Sequence, residues 1–335
     1  MTRNYELETT DVEDICTDFS DHFCNCRLRC LRKIWSSCLA VVMITALTIP
    51  CLAQELDPRR WTHLPIGTNF AAGIYGYTEA DISFDPVLRV ENANLVLHSW
   101  GGGYIRTFKL LDKSARIGLV QGYMDGRWTG LVDGVDTVVK RSGFTDSIVR
   151  FAISLYGAPP LGGKEFAAYR AEKKVETLVG LAVSVKIPTG EYMEDKLINL
   201  GSNRFSFKPQ LGIVHNRGKW SFETTVATSF YTHNNEFFGG NKLEQDPFVT
   251  IQSHVVYNFR PGLWVAASGG YGYGGESKVN GEVKDDYKEN VAWALSFGYP
   301  ITPSWGIKVA YIDTNPQRFI GVESGTVAVA LSTYW

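Results

Sequence analysis

Cysteine is absent beyond residue 51. The six present (Cys16, Cys24, Cys26, Cys30, Cys38 and Cys51) crowd the N-terminal segment. The close trio Cys24, Cys26 and Cys30 invites a metal knuckle, but only His22 lies at ligand spacing and no second cluster completes a site. No metal and no cofactor is therefore expected. Charge is sparse as well. Asp, Glu, Lys and Arg make up 20% of the chain and the formal net charge is -2, which argues against a nucleic-acid partner, since phosphate binding demands a strongly basic face. A sustained helical period is missing from about residue 66 onward. The mean hydropathy of -0.10 matches an ordinary soluble protein, but it also matches a transmembrane barrel, whose alternation of apolar and polar residues averages to near neutral.

What is present begins with an export signal. Arg27, Arg29, Arg32 and Lys33 form a basic cluster, followed by an apolar run from Leu39 to Ile49 and then Pro50-Cys51-Leu52-Ala53 before the polar Gln54-Glu55. Basic region, short apolar core and small residue at the cut is the order of a secretory signal. The core is too short to span a bilayer as a helix, which takes about 20 residues. Cleavage is expected after Ala53, and lipid attachment at Cys51 is disfavoured because Pro50 occupies the place of a small residue. Residues 1–26 are acidic and precede the basic cluster, so either translation starts later or the signal carries an extension. On both accounts all six cysteines leave with it. The expected organisation is thus 1–53 extension and signal, 54–66 a short periplasmic lead-in, and 67–335 the barrel.

In the remainder, period-two alternation recurs in runs of about 9–11 residues, the length a tilted strand needs to cross a membrane. In the clearest run Val291, Trp293, Leu295, Phe297 and Tyr299 share one face, while Ala292, Ala294, Ser296 and Gly298 share the other. Large residues facing lipid and small ones facing a crowded lumen fit this better than a soluble barrel would. Similar faces run through 149–155, 179–187, 204–213, 249–260 and 305–311, and aromatic residues gather near strand ends, where interfacial girdles belong.

Short turns near 111–114, 216–219, 259–262 and 301–304 alternate with longer polar loops near 85–94, 125–146, 189–203, 232–247, 274–290 and 313–324. Short turns on one side and long loops on the other mark the periplasmic and outer ends of a bacterial barrel. The 157–174 connection falls on the short side yet is long, with a helix expected near 165–173. The fold class is all-β: a transmembrane antiparallel up-and-down β-barrel in the outer membrane. Twelve strands are expected, near 67–83, 95–110, 115–126, 146–157, 176–188, 204–215, 219–232, 248–259, 263–275, 290–300, 305–314 and 325–335. The Gly- and Tyr-rich first three leave ten or fourteen open. An even count puts both termini in the periplasm. In the last strand Val327, Val329, Leu331, Thr333 and Trp335 share a face, and a chain ending so resembles the signal read by the barrel assembly machinery, with Leu331 and Trp335 as its carriers. Thr333 departs from the larger residue usual there.

The middle of the chain carries a more specific pattern. Pro188-x-Gly190-x-Tyr192, the stretch Lys196-Leu197-Ile198-Asn199-Leu200-Gly201-Ser202-Asn203-Arg204-x-Ser206-Phe207-Lys208-Pro209, Phe238-Gly239-Gly240, Gln245-Asp246-Pro247 and His254-x-x-Tyr257-x-Phe259-x-Pro261-Gly262-x-Trp264 resemble an outer-membrane family named for a meta-pathway of phenol degradation. The resemblance implies a barrel of transporter type, with aromatic compounds suggested as cargo by association only.

If the apolar faces meet lipid, the lumen-facing set includes Arg150, Lys186, Arg204, Lys208, Arg260, His254 and Lys308, opposed by Glu223. One reading is interfacial or assembly-stabilising charge. The other is a positively biased pore whose focused field favours small organic anions. Twelve strands at about 4.8 Å spacing make a cylinder roughly 23–25 Å across, suited to small solutes. No folded plug domain fits between Ala53 and the first strand. A gate must come from the segment containing Trp61 or from an inward-folded loop, with 232–247 and its Phe237-Phe238-Gly239-Gly240 as a candidate and an ordinary surface turn as the alternative. Two other classes remain: a lipid hydrolase or a non-conducting structural or adhesion barrel. Ser253 and His254 are adjacent but on opposite faces, as are His98 and Ser99, so a nucleophile-base pair would have to form across strands.

Overall fold

A computed structural model describes residues 56–83, 90–132, 134–319 and 321–335. Its main element is a closed antiparallel barrel of twelve strands. The barrel strands are β1 (Asn69–Ser83), β2 (Val90–Leu110), β3 (Lys113–Val132), the pair β4 (Val135–Phe144) and β5 (Ser147–Tyr156), β6 (Val175–Ile187), β7 (Ser206–Arg217), β8 (Trp220–Tyr231), β11 (Phe248–Arg260), β12 (Leu263–Gly274), β15 (Lys288–Pro300), β16 (Trp305–Pro316) and β17 (Gly321–Tyr334). Sequential neighbours pair throughout, and β1 closes the ring on β17 from Phe70↔Tyr334 to Ser83↔Gly321. Among the described residues, and with the pair β4 and β5 counted as one, closure leaves no barrel strand without a partner on both sides, the condition for a sheet to survive in hydrocarbon.

The alternation sorts the side chains as expected. In β15, Trp293 is 43% and Leu295 56% exposed on the outside, while Ala292 and Ala294 are 1% exposed facing in. The break in the β11 apolar face is accounted for locally. Ser253 lies outward beside Thr224 of β8, and their hydroxyls bond at 3.1 Å, so each satisfies the other on the lipid side.

Two departures matter. The region expected as the loop 125–146 is mostly strand. β3 runs on past the membrane and pairs with β4 from Tyr123↔Phe144 to Val132↔Val135, while its lower half pairs with β5. β4 and β5 are therefore two halves of one barrel strand, broken at Thr145-Asp146. The sequence of 127–140 mixes charges with valines, and no apolar face marks it as strand. The loop 232–247 does not fold inward. It forms β9 (Asn234–Phe237) and β10 (Asn241–Gln245), which join β13 (Ser277–Val279) and β14 (Glu282–Val283) in a four-stranded sheet at the outer end. The long 157–174 connection holds the helix α1 (Gly163–Glu172). The expected extension, signal and cut after Ala53 lie outside the described residues.

Candidate functional site: a plugged lumen

The lead-in expected in the periplasm sits inside the barrel. Leu56, Asp57, Arg59, Arg60, Trp61, His63 and Leu64 are all buried. The physical reason lies in the wall, where small and polar inward residues leave a lumen that a chain of this width fills.

Trp61 is the anchor. Gly180 of β6, Gly212 of β7 and Thr225 of β8 are register partners in one row across three strands. The indole lies flat on the two glycines. A Cβ at Gly212 would sit 2.0 Å from the indole Cε2, and one at Gly180 2.8 Å from Cε3. Trp61 Nε1 donates to Thr225 Oγ1 at 2.8 Å. The Arg150 guanidinium from β5 lies over the ring, 4.9 Å from its centroid, a cation–π contact that gains strength away from water. Ala152, Ala158, Leu178, Ala182 and Val214 complete the socket.

The rest of the plug is held by charge and backbone. Asp57 accepts from Lys308 Nζ of β16 at 2.6 Å and lies 3.5 Å from Arg60. The Arg59 backbone N–H donates to Glu223 Oε2 at 2.7 Å, and its guanidinium reaches Asn258 Oδ1 at 3.2 Å and stacks on Trp264 at 5.3 Å. Burial lowers the Arg59 pKa to about 10, so it stays charged at neutral pH. Arg116 of β3 donates to the Arg60 carbonyl. Leu56 packs on Ala292 and Ala294.

α1 seals the plug at the short-turn end. Phe166, 1% exposed, packs with Leu64, Phe70 and Ile105. His63 meets the Pro159 carbonyl through Nε2 at 2.8 Å and lies 3.8 Å from Glu176. Tyr169 donates to Glu176 at 2.8 Å and Arg170 does so at 2.7 Å. Burial and that hydrogen bond push the Tyr169 phenol up to about 12, so it remains a donor throughout the physiological range. A small cleft remains between the plug (Trp61, Leu64, Ile66) and the β3–β5 wall (Arg116, Ala152).

A family model described as "Putative MetA-pathway of phenol degradation" matches residues 66–323. The chain belongs to this family. Among solved structures, the COG4313 outer membrane channel from Pseudomonas putida superposes with a TM-score of 0.72 at 19% identity, covering 84% of this chain and 100% of that one. The transport unit of the autotransporter AIDA-I from Escherichia coli gives 0.45 at 8% identity, over 90% and 97% of the two chains. The CymD monoaromatic hydrocarbon channel gives 0.40 at 8% identity, over 88% and 97%. No curated protein matches. The first likeness shows the shared fold.

The structure separates the residues singled out in the sequence. Arg150, Glu223 and Lys308 converge on the plug. Lys208 faces inward and is half-buried. His254 is buried in the lumen wall and bonds through Nδ1 to Ser268 Oγ at 2.8 Å, the cross-strand pairing left open above. Lys186 and Arg204 instead sit at the outer end. Lys186 lies 3.8 Å from Asp146, and Arg204 precedes β7, bonding Gln245 and stacking 4.8 Å from Tyr231. Arg260 is exposed at a short turn, because the β11–β12 register shifts between Asn258 and Arg260. Leu331 and Trp335 face outward at 43% and 63% exposure.

Sequence reasoning missed Arg116, although it alternates with Ile117 and Leu119. It also missed the partnership of Trp61 with Gly180 and Gly212, which no local period announces. The family-like stretch turns out to be a stapled outer loop. Buried Asp146 accepts from the Gly190 and Ser202 backbone N–H groups at 3.0 and 2.9 Å and from the Ser202 hydroxyl at 2.5 Å. A Cβ at Gly190 would lie 2.7 Å from the Asp146 nitrogen, so glycine is required there.

Proposed function

We propose that the protein is an outer-membrane channel for small solutes, selective for aromatic organic anions, and that residues 56–66 are its gate. The observation that carries this reading is the Trp61 socket. Two glycines and surrounding alanines offer a flat apolar shelf, with a guanidinium over the ring that occupies it and a hydroxyl at one end. An aromatic acid presents the same ring together with a carboxylate that Arg150 would bind better than it binds a neutral indole. Such a solute competes with Trp61 for the shelf, so binding and opening become one event. The family's association with phenol degradation agrees with this cargo.

With the plug displaced, Arg116, Arg150 and Lys308 face the lumen against Glu223, and the field favours anions. Planar-bilayer recording tests the reading. A variant lacking 56–66 is expected to conduct with an anion-shifted reversal potential, and benzoate is expected to raise opening of the intact channel above that seen with acetate. No conductance from either form would sink the proposal. The Ser268–His254 pair provides a control on the hydrolase alternative: ester turnover abolished by Ser268→Ala would favour an enzyme. Two further roles belong to the same reading. β17, presenting Leu331 and Trp335 outward, is the strand for the barrel assembly machinery, and the mature chain starts after Ala53.

A further inference from the structure

On its outer surface the barrel carries a second charge feature unrelated to the lumen. Register places outward-facing residues in rows across β1, β2, β3 and β4. Tyr75, Trp100, Tyr123 and Phe144 form one row. Their ring centroids lie 5.7, 6.0 and 5.4 Å apart in succession, which makes a continuous run of girdle-type aromatics on the long-loop half of the outer face. Tyr77, His98, Asp125 and Ser142 form the next row outward, and Glu79, Val96, Arg127 and Lys140 the one after.

Arg127 and Lys140 are thus directly opposed cations on adjacent strands, both exposed. Like charges placed so destabilise a strand pair. Among the described residues neither side chain forms an ion pair. Glu79 is separated from Arg127 by Val96 and accepts from the Tyr77 hydroxyl at 2.6 Å. Asp125 lies one row nearer the girdle, beside Ser142. The two rows rise about 13 Å along the strand from the aromatic row, or roughly 10 Å along the membrane normal at the usual strand tilt. That is the depth of lipid headgroups, where cations on such a surface meet anionic lipid.

We infer that Arg127 and Lys140 form a binding site for the phosphate of an outer-leaflet lipid, whose acyl chains lie on the Trp100–Tyr123–Phe144 face below. Charge complementarity and the apolar aromatic surface next to it select a lipid-linked phosphate over a free one. A guanidinium and an ammonium together supply the planar fork and the point charge that phosphate accepts. The inference does not depend on what the lumen carries.

Native mass spectrometry of the purified barrel in detergent, titrated with diphosphorylated lipid A, tests it. The intact protein is expected to retain one lipid, and the Arg127→Gln/Lys140→Gln variant to bind roughly tenfold or more weakly. Lipid A stripped of phosphate is expected to bind both proteins equally weakly. Heat-modifiable migration on gels checks that the variant is folded, and Arg127→Lys, which keeps the charge, should restore much of the binding. Equal retention by the folded double variant would overturn the site. Competition by millimolar inorganic phosphate as effective as that by lipid A would overturn the lipid assignment, leaving a free-anion site.

Discussion

At Gly212 a single methyl group decides whether the plug can seat. A Cβ there would overlap the Trp61 indole at 2.0 Å, and the overlap is with a rigid ring, not a flexible side-chain end. Gly212→Val is expected to expel Trp61 while leaving the β7 backbone paired, and single-channel recording should show a higher open probability. Removing the ring has the same direction. Trp61→Ala costs the seated state about 3–5 kcal/mol, the range for deleting a buried aromatic, so the open population should rise by two orders of magnitude or more. Lys308→Glu sets a carboxylate against Asp57, which Lys308 now holds at 2.6 Å. That substitution should both loosen the plug and shift the reversal potential toward cations. A variant that opens without the selectivity change would place Lys308 outside the ion path.

At the scale of elements, the membrane strands were legible because lipid enforces a strict rule: large apolar residues at every second position. β15 shows it without exception over Val291–Tyr299. The rule lapses where lipid ends. β4 keeps a single lipid-facing aromatic, Phe144, at its end, and with Lys140 and Arg141 beyond it the strand reads as loop, while the β9–β10 hairpin is held by its own short ladder and by β13. The plug was illegible for a different reason. Its partners Gly180, Gly212, Glu223 and Lys308 come from distant strands, so no spacing within 56–66 reports them. Asp146 belongs to the same class, since its stapling of Gly190 and Ser202 depends on the break between β4 and β5. Asp146→Ala leaves those backbone donors without their buried acceptor. The 188–204 loop of the variant is then expected to be cut faster by externally added protease, with barrel migration on gels unchanged. Equal cleavage rates would show that the loop is held elsewhere.

For the molecule as a whole, the barrel and the plug answer different physical demands. Closure of β1 on β17 satisfies the backbone in hydrocarbon, and it would do so with any narrow filling. The filling itself is specified by side chains. Asp57 pairs with Lys308 across the lumen, Glu223 accepts from the Arg59 backbone, an aromatic anchor lies under Arg150, and α1 packs Phe166 against Leu64 at one mouth. A seat built from ion pairs and one ring, joined to the wall through few backbone hydrogen bonds, can release without unfolding the strands. The central claim is that this release opens the pore. Its most direct test is the conductance in planar bilayers of the folded barrel with and without residues 56–66. The account predicts brief, rare openings for the intact protein and a stable, larger, anion-selective conductance for the truncated one. Identical conductance in the two, or a truncated barrel that stays closed, would contradict it.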